Sequence, residues 1–414
     1  MKLKLHWQIF IAMALGGLFA TLFKDQVPMV APLGDIFMRL LKMVIVPLIL
    51  SSIITGVAGI GDSRSLGRLG GKTFLYYITT SFLAIAVGLT LTNVIQPGVG
   101  LEVAQEVTIS PDDLENPGSV ADILMRIIPI NPVAAAAEGD ILGIIFFAII
   151  FGFAITRLPE KHSKTLQAFF QAVFEAMMTL TQAIIRLAPI GVFGLISQAV
   201  ASMGFGLFQA VGKYMLTILL GLSIHFLIVL PIIFYLFTRR NPLDHYRAMA
   251  AVMAMAFSGS SSSATLPLTI DAVEKKAGVS NKVSSFVLPM GATINMDGTA
   301  LYECAGVLFI AQALGIPLGF GQQLVVVFTA LLASIGAAGI PSAGLVMIFI
   351  VLEAVGITTP AAYALVGIML AVDRPLDMFR TVVNVTSDSI GAVVIAHSEG
   401  EKLNYPLVGT SRSA

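Results

Sequence analysis

Apolar segments long enough to cross a lipid bilayer recur along the whole chain, and they constrain its fold more than any other feature. Examples are residues 7–23, 43–60, 141–156 and 214–238. A helix needs roughly 17–25 apolar residues to span the hydrocarbon core. Charged residues make up only 12% of the 414 residues, about half the share of a typical soluble domain. The chain is therefore predicted to be an all-α polytopic membrane protein.

Charge and cysteine content exclude several other classes of protein. A formal net charge of zero argues against nucleic acid as a partner. The single cysteine, Cys304, lies in an apolar run and leaves no disulfide framework, redox pair or zinc site. The N-terminal segment enters the first apolar stretch without a small-residue cleavage site, so it is interpreted as a retained first helix.

The basic residues alternate between loops, which predicts the orientation in the membrane. Lys and Arg cluster at 64–72, 157–164, 239–247 and 275–282. The loop from about 97 to 140 instead holds eight acidic residues and one arginine. The pattern predicts two cytoplasmic termini, an outward-facing acidic loop and a multi-pass protein of the cell membrane, and the short loops favour a bacterial inner membrane.

Two apolar segments in the second half are interrupted by small residues and proline. Residues 258–269 contain four consecutive serines and a proline, and residues 333–344 contain three glycines and a proline. Such residues disfavour helix interiors, and non-helical backbone at membrane depth must be buried or line a cavity. We therefore predict two re-entrant hairpins. Tight helix packing through small residues is the alternative interpretation.

Each predicted hairpin is followed by a span with polar residues, 283–312 and 359–396. This repeated arrangement, with hairpins entering from opposite sides, is typical of the binding site of a secondary transporter.

The last span carries a stripe of polar residues on one helical face. Ionisable groups are costly inside a bilayer, so this stripe is expected to face a cavity, a partner or bound ions. Arg380 offers a planar fork for a carboxylate, Asp377 can accept an ammonium, and Asp388 is better placed for a metal cation. Internal salt bridges without a ligand are the alternative. The six stripe residues are Asp373, Asp377, Arg380, Thr381, Asn384 and Asp388.

Residues beside this stripe extend the polar pattern. Arg374, at the edge of the stripe, is predicted to have a structural role, either reaching the membrane surface or pairing with Asp373. In Asn295–Thr299, Gly298 is predicted to mark an unwound turn whose carbonyls could serve a hard cation. Glu303 is a lone carboxylate in apolar surroundings and therefore a candidate proton carrier, with a structural acid that is paired or snorkels to the membrane surface as an equal alternative.

These motifs resemble the glutamate/aspartate transporter family, the dicarboxylate/amino acid:cation symporters. The resemblance covers essentially the whole chain. It rests on Ser260–Ser263, Asn295–Thr299, Gly339-Ile340-Pro341, the Asp377-x-x-Arg380-Thr381-x-x-Asn384-x-x-x-Asp388 pattern, and Tyr76-Tyr77 with Thr80-Ser81.

The resemblance implies a homotrimeric elevator-type transporter with eight transmembrane helices, two re-entrant hairpins and inverted repeats. Residues 1–72 would form scaffold spans 1 and 2, and 73–97 would be span 3 of the transport domain. Residues 98–240 would hold the acidic loop and spans 4–6, with span 6 in the transport domain. Residues 241–414 would form the transport core, with Gly339 as the hinge of the second hairpin.

The resemblance also implies the binding residues of a small acidic amino acid and of the coupling ion Na⁺, with no organic cofactor. The substrate residues would be Ser261, Ser262, Thr299, Ile340, Gly344, Asp377, Arg380, Thr381 and Asn384. One sodium site would use Gly291, Asn295, Asn384 and Asp388. A second would use Tyr77, Thr80, Ser81, Asn295 and Asp297. A third would use Thr293, Met296, Ser334, Ile335 and Ala337.

Two departures from the family pattern leave proton and potassium coupling open. Ser260 and Met378 stand where relatives often carry an extra arginine, and Arg374 appears instead. Glu303 matches proton-coupled animal members, whereas some archaeal sodium-dependent members have glutamine.

Substrate classes within the family differ at two positions. Dicarboxylate carriers lack an acid at the Asp377 position and neutral amino acid carriers lack the Arg380 guanidinium, so having both favours glutamate or aspartate without separating them. A serine protease around Ser258-Gly259-Ser260 would leave the last-span stripe unexplained, and an ion channel does not need a paired Asp377 and Arg380. The chain is therefore not expected to be an enzyme.

Overall fold

The computed structural model describes residues 5–58, 64–101, 128–138, 141–204, 206–336 and 343–405. Within these ranges every regular element is a helix and no strand is present. The predicted all-α class is therefore confirmed for the described part of the chain.

The first half contains helices with large exposed apolar side chains, such as Leu18, Ile36 and Phe153. Its helices are α1 (Leu5–Leu22), α2 (Val27–Ala58), α3 (Arg64–Ile95), α4 (Pro132–Glu138), α5 (Ile141–Thr156), α6 (Glu160–Ile185) and α7 (Ala188–Met203). Helix α1 packs along α7, and α2 packs against α5, α6 and α7. Helix α3 instead packs against the second half of the chain.

The second half surrounds one long central helix, α17. Its helices are α8 (Gly206–Ile224), α9 (Leu230–Thr238), α10 (Pro242–Ala248), α11 (Ala250–Gly259), α12 (Ser262–Ala272), α13 (Asn281–Ile294), α14 (Asp297–Ala313), α15 (Phe320–Gly336), α16 (Ala343–Ala354) and α17 (Pro360–Ser398). A π-helical turn, His225–Val229, joins α8 to α9. Helix α17 contacts α7, α8, α11, α13 and α14, so polar groups along it are enclosed by protein.

Three described helical stretches are long and apolar enough to cross a membrane, and two bent helix pairs raise this number to at most five. The three are Arg68–Ile95, Gly206–Thr238 and Val372–Ser398. The last differs from the others because 89% of its most apolar window is buried inside the protein, against 33% and 39%. A span that faces protein on nearly every side can carry charged groups, which explains how α17 tolerates its polar stripe.

The predicted break in the serine run is confirmed. Helix α11 ends at Gly259, and Ser260 adopts a left-handed conformation with φ 49° and ψ 40°. Ser261 is extended and its Oγ accepts a hydrogen bond from the Ala264 N–H, so it caps α12. Helices α11 and α12 contact each other and both contact α17.

A second break separates α13 from α14, but its position differs from the prediction. The chain leaves helical geometry at Asn295 (φ −97°, ψ 85°) and Met296 (φ −117°, ψ 59°). Gly298 was expected to mark this turn, yet it lies in the first turn of α14. Its N–H donates to Asn384 Oδ1 instead, so an approach of α17 rather than an unwound backbone explains the glycine.

The predicted break in the second hairpin falls between α15 and α16. Residues 337–342 lie outside the described part of the chain, and they include Ala337, Gly339, Ile340 and Pro341. Helices α15 and α16 contact each other, and both contact α14.

The segment after α17 ties several helix ends together. Glu399 forms ion pairs of 2.5 Å with both Arg68 and Lys72 of α3. These hydrogen bonds, the one from Lys72 foremost, lower the pKa of Glu399 below its usual value. The Asn404 N–H donates to the Ala277 carbonyl, and Arg240 donates to the Tyr405 carbonyl. The segment thereby fixes one end of α17 against α3 and against the chain between α12 and α13.

Candidate functional site

Buried polar side chains from both halves of the chain gather in two groups along α17. We call Asp373, Asp377, Arg380 and Tyr302 the arginine cluster. We call Thr80, Ser81, Asn295, Asp297 and Asp388 the carboxylate cluster. Arg380 and Asp388 are eight residues apart on one helix, or about 12 Å along its axis.

Arg380 is the centre of the arginine cluster and is only 1% exposed. Its Nη2 donates to Asp377 Oδ1 at 2.7 Å and lies 3.1 Å from Asp373 Oδ1. The guanidinium carbon lies 3.9 Å above the centroid of the Tyr302 ring. A buried guanidinium requires such anionic and aromatic neighbours, because an isolated charge inside a protein is strongly destabilising.

The rest of the Arg380 guanidinium retains hydrogen-bonding capacity. Among the described residues, no partner accepts from its Nε or its Nη1. A Cβ at Gly344 would lie 3.3 Å from Nη1 and 3.0 Å from Thr299 Cγ2, so α16 begins directly beside this edge. Nε–H points to the opposite side of the guanidinium, so the Nη1 side, beside Gly344, is the part that remains open to an anionic ligand group.

Asp377 has a second basic neighbour that the sequence interpretation assigned elsewhere. Arg374 Nη1 lies 3.7 Å from Asp377 Oδ2, so Arg374 pairs with Asp377 rather than with Asp373. The reason is helical geometry: residues three apart lie on one face, whereas adjacent residues diverge. Asp373 is taken by Arg380.

Asn384 lies between the two clusters on α17. Its Oδ1 accepts from the Gly298 N–H at 2.8 Å and its Nδ2 donates to Thr299 Oγ1 at 3.3 Å. Thr381 is bonded within its own helix, because its Oγ1 donates to the Asp377 carbonyl at 2.8 Å. Of the predicted residues, Thr299 on α14 therefore contacts Asn384, and Thr381 lies about one turn before Asn384 on α17.

The carboxylate cluster joins α3, α13, α14 and α17. Asn295 Nδ2 donates to Asp388 Oδ1 at 2.9 Å, and Thr80 Oγ1 donates to Asn295 Oδ1 at 3.2 Å. Ser81 Oγ donates to Asp297 Oδ1 at 2.7 Å. Asn295 directly follows α13 and Asp297 begins α14, so the break at 295–296 lies within this cluster.

Gly291, predicted in one sodium site with Asp388, and Tyr77, predicted in the second site, both lie beside the Asp388 carboxylate. A Cβ at Gly291 would lie 2.5 Å from Asp388 Oδ1 and 2.6 Å from the Tyr77 hydroxyl. Only glycine allows this approach. Tyr77 donates to the Val287 carbonyl at 2.8 Å, which fixes its ring in place.

His225 belongs to this group, and the sequence interpretation missed it. The fully buried imidazole lies on the π-helical turn after α8, and its Nε2 lies 3.0 Å from Asp297 Oδ2. The two residues are 72 positions apart, so no local motif joins them. A histidine deep in an apolar span was the available signal, since such a side chain needs a buried polar partner.

The third predicted sodium group is less complete. Thr293 and Ser334 donate to carbonyls of their own helices, those of Met290 and Leu331. Among the described residues no hydrogen bond joins these two side chains, although α13 and α15 are in contact. Met296 and Ile335 are buried.

Three other predicted residues are positioned as follows. Ser261 caps α12, and Ser262 is buried in the first turn of that helix. Glu303 is fully buried on α14, and among the described residues neither of its carboxylate oxygens has a hydrogen-bond partner. The possibility of a paired structural acid at Glu303 is therefore not supported by the described contacts.

The donor chemistry of the two clusters differs. The arginine cluster presents a guanidinium edge beside a carboxylate, which suits a ligand that has both an anionic and a cationic group. The carboxylate cluster presents hydroxyl, amide and carboxylate oxygens, which are the ligands that hard cations prefer. Among the described residues, no three His, Cys, Asp or Glu side chains gather in a way that could hold a metal ion by themselves.

Comparison with known proteins identifies the family of this chain. The profile of the Sodium:dicarboxylate symporter family matches residues 5–398. The chain is 34% identical to the proton/glutamate-aspartate symporter of Escherichia coli (96% of this chain, 93% of the relative). It is 34% identical to the proton/sodium-glutamate symport protein of Bacillus caldotenax (97% and 96%). It is 38% identical to neutral amino acid transporter B(0) of Oryctolagus cuniculus (88% and 72%). The chain belongs to the sodium:dicarboxylate symporter family.

Proposed function

We propose that this protein is a secondary active symporter that carries L-glutamate or L-aspartate across the cell membrane together with sodium ions. The observation that carries this proposal is the buried pair of Arg380 and Asp377, whose opposite charges match the side-chain carboxylate and the ammonium of an acidic amino acid. Relatives named for glutamate and aspartate support the same substrate class.

Substrate binding follows from the contacts of the arginine cluster. The free edge of Arg380 would take the side-chain carboxylate and Asp377 the ammonium. Thr299, Asn384 and the start of α16 near Gly344 border the same space. Ser261, Ser262, Thr381 and Ile340 are proposed to complete the site.

The alternatives within the family are a C4-dicarboxylate or a neutral amino acid as substrate. A dicarboxylate would leave Asp377 without a cationic ligand group, and a neutral side chain would leave the Arg380 edge unsatisfied inside the protein. Both outcomes are costly for buried charges. One relative is named for neutral amino acids, so the substrate needs a direct test.

Sodium is proposed to bind at the carboxylate cluster. Asp388, Asn295, Asn384 and the Gly291 carbonyl would form one site. Tyr77, Thr80, Ser81, Asn295 and Asp297 would form a second. Thr293, Met296, Ser334, Ile335 and Ala337 are proposed as a third site. Glu303 is proposed as the carrier of a proton, because it is a fully buried acid on α14, the helix that contributes Asp297 and Tyr302 to the two clusters.

The packing of the helices supports a division of the protein into a mobile transport domain and a static scaffold. Helices α3 and α8 pack against α14 and α17, whereas α1 and α2 pack mainly against α5, α6 and α7. This division agrees with a transport domain made of spans 3 and 6 and residues 241–414. We propose eight spans, two re-entrant hairpins, a homotrimer, an elevator motion, and cytoplasmic termini in a bacterial inner membrane.

Uptake into proteoliposomes tests the proposed function. Labelled L-aspartate, L-glutamate, succinate and L-alanine would each be offered under an inward sodium gradient and, separately, under an inward proton gradient. We expect the two acidic amino acids to accumulate under sodium, and succinate and alanine to stay at the level of empty vesicles. Preferential uptake of succinate or alanine would overturn the assignment of substrate.

A further inference from the structure

A second arginine, Arg374, lies beside the arginine cluster, and neither the substrate nor the cation assignment uses it. Its Nη1 lies 3.7 Å from Asp377 Oδ2. Arg380 Nη2 donates to Oδ1 of the same carboxylate at 2.7 Å. Both oxygens of Asp377 therefore face a guanidinium that the chain itself supplies.

The two guanidinium groups hold Asp377 with very different strength. Arg380 is fully buried, stacks on Tyr302 and also pairs with Asp373. The Arg374 side chain is 31% exposed, and its distance to Asp377 is longer than a hydrogen bond. Ion pairs of partly exposed side chains are weak. Arg374 is therefore the partner that an incoming cationic group could replace.

The amino acid proposed as substrate brings such a cationic group. Its ammonium needs an anionic partner, and it competes with the Arg374 guanidinium for Asp377 Oδ2. We propose that Arg374 is an internal counter-ion, which neutralises Asp377 when no amino acid is bound and is displaced by the ammonium of the substrate. This inference rests on the proposed function.

The charge balance of the site gives the pair a role in the transport cycle. Asp373, Asp377, Arg374 and Arg380 together carry no net charge. Without Arg374 the unloaded site would carry one uncompensated negative charge, and an unpaired charge is expensive inside a membrane protein. The pair therefore eases the return of the unloaded carrier, whereas the loaded carrier does not need it.

The two guanidinium groups also differ in their freedom to move. The partly exposed Arg374 side chain can leave Asp377 by changing rotamer. Arg380 stays in place, because it is buried, pairs with Asp373 and stacks on Tyr302.

Net uptake and exchange separate the two halves of this cycle in proteoliposomes. Net uptake of labelled L-aspartate into empty vesicles requires the unloaded carrier to return. Exchange against internal unlabelled L-aspartate does not. Both would be measured for the wild type, for Arg374→Gln, which removes the charge, and for Arg374→Lys, which keeps it. Arg247→Gln is the matched control, because Arg247 forms a similar ion pair with Asp244, three residues earlier, at 3.5 Å, away from the site.

For Arg374→Gln we expect net uptake to fall by about threefold or more, while exchange stays within about twofold of the wild type. The dissociation constant of L-aspartate should fall by about two- to fivefold, because the ammonium no longer competes. Arg374→Lys and Arg247→Gln should resemble the wild type.

Three results would overturn the inference. Equal loss of net uptake and exchange would make Arg374 a structural or substrate-binding residue. An unchanged ratio of the two rates, or weaker aspartate binding in Arg374→Gln, would exclude a competing counter-ion. A wild type that neither accumulates nor exchanges an acidic amino acid would overturn the proposed function, and this inference with it.

Discussion

The two polar clusters of α17 lie on the same helix, yet they are built differently. The arginine cluster contains its own cation, Arg380, and part of the guanidinium has no partner among the described residues. The carboxylate cluster holds Asp297 and Asp388, and the partners described for these acids are Ser81, His225 and Asn295. The first cluster can therefore complete its bonding with an anionic group and the second with a cation. Substrate and coupling ion are assigned to separate places for this reason.

Of the substitutions considered for the two clusters, removal of the Arg380 guanidinium should reduce substrate uptake the most. In Arg380→Ala, Asp373 and Asp377 lose their buried partner, and the carboxylate of the substrate loses its fork. We expect uptake of both acidic amino acids to fall at least about 100-fold, since breaking a buried ion pair costs several kcal/mol. The measurement is initial uptake in proteoliposomes, with Arg247→Ala as control. Wild-type affinity for aspartate in Arg380→Ala would contradict the assignment of the arginine cluster.

Adding a side-chain atom to the carboxylate cluster should weaken sodium binding more than substrate binding. In Gly291→Ala the added Cβ would lie 2.5 Å from Asp388 Oδ1, which forces the carboxylate or Tyr77 to move. We expect the sodium concentration for half-maximal uptake to rise about tenfold. Asp388→Asn should act in the same direction. Gly212→Ala is the control, because a Cβ there meets no atom within 4 Å. An unchanged sodium titration in both Gly291→Ala and Asp388→Asn would remove sodium from this cluster.

Substitution of Glu303 tests whether this buried acid carries a proton during transport. It is fully buried on α14, one turn after Thr299. In Glu303→Gln the side chain keeps its shape but can no longer bind and release a proton. We expect the dependence of uptake on external pH to flatten, with sodium affinity changed less than in Asp388→Asn. A wild-type pH profile in Glu303→Gln would exclude Glu303 as the proton carrier.

The smallest effect is expected outside both clusters. Hydrogen bonds from Lys72 and Arg68 lower the pKa of Glu399, so its charged form is stabilised by folding. The sign follows from linkage: this stability is present above the unfolded-state pKa of glutamate and is lost as pH falls through the lower pKa of the folded state. In Glu399→Gln we expect Tm at neutral pH to fall by about 2 °C or less, because its partners Arg68 and Lys72 are exposed to solvent. The difference from wild type should vanish in acid. A difference that persists unchanged at low pH would contradict the ionic origin.

The sequence predicted much of the fold because its signals are local. The serine run marks the break between α11 and α12, and the polar stripe marks α17 as the helix enclosed by protein. The pairing of Arg380 with Asp377 also follows from spacing along one helix.

The remaining contacts depend on how distant segments pack. The partnership of His225 with Asp297, the stacking of Tyr302 on Arg380 and the closeness of Gly291 to Asp388 join different helices. The sequence predicts an unwound turn at Gly298, because Asn295 and Asp297, two residues apart, would not share a face of a continuous helix. The structure has it at Asn295 and Met296, and the glycine serves the close approach of Asn384.

The most direct test of the central claim is the dissociation constant of L-aspartate, measured with purified protein as a function of sodium concentration. If the arginine cluster binds the amino acid and the carboxylate cluster binds sodium, symport requires the two sites to be coupled, and each ligand then strengthens binding of the other to the same degree. We expect the dissociation constant to fall at least about tenfold as sodium is raised, and this dependence to weaken in Asp388→Asn. A dissociation constant that does not change with sodium would contradict the account.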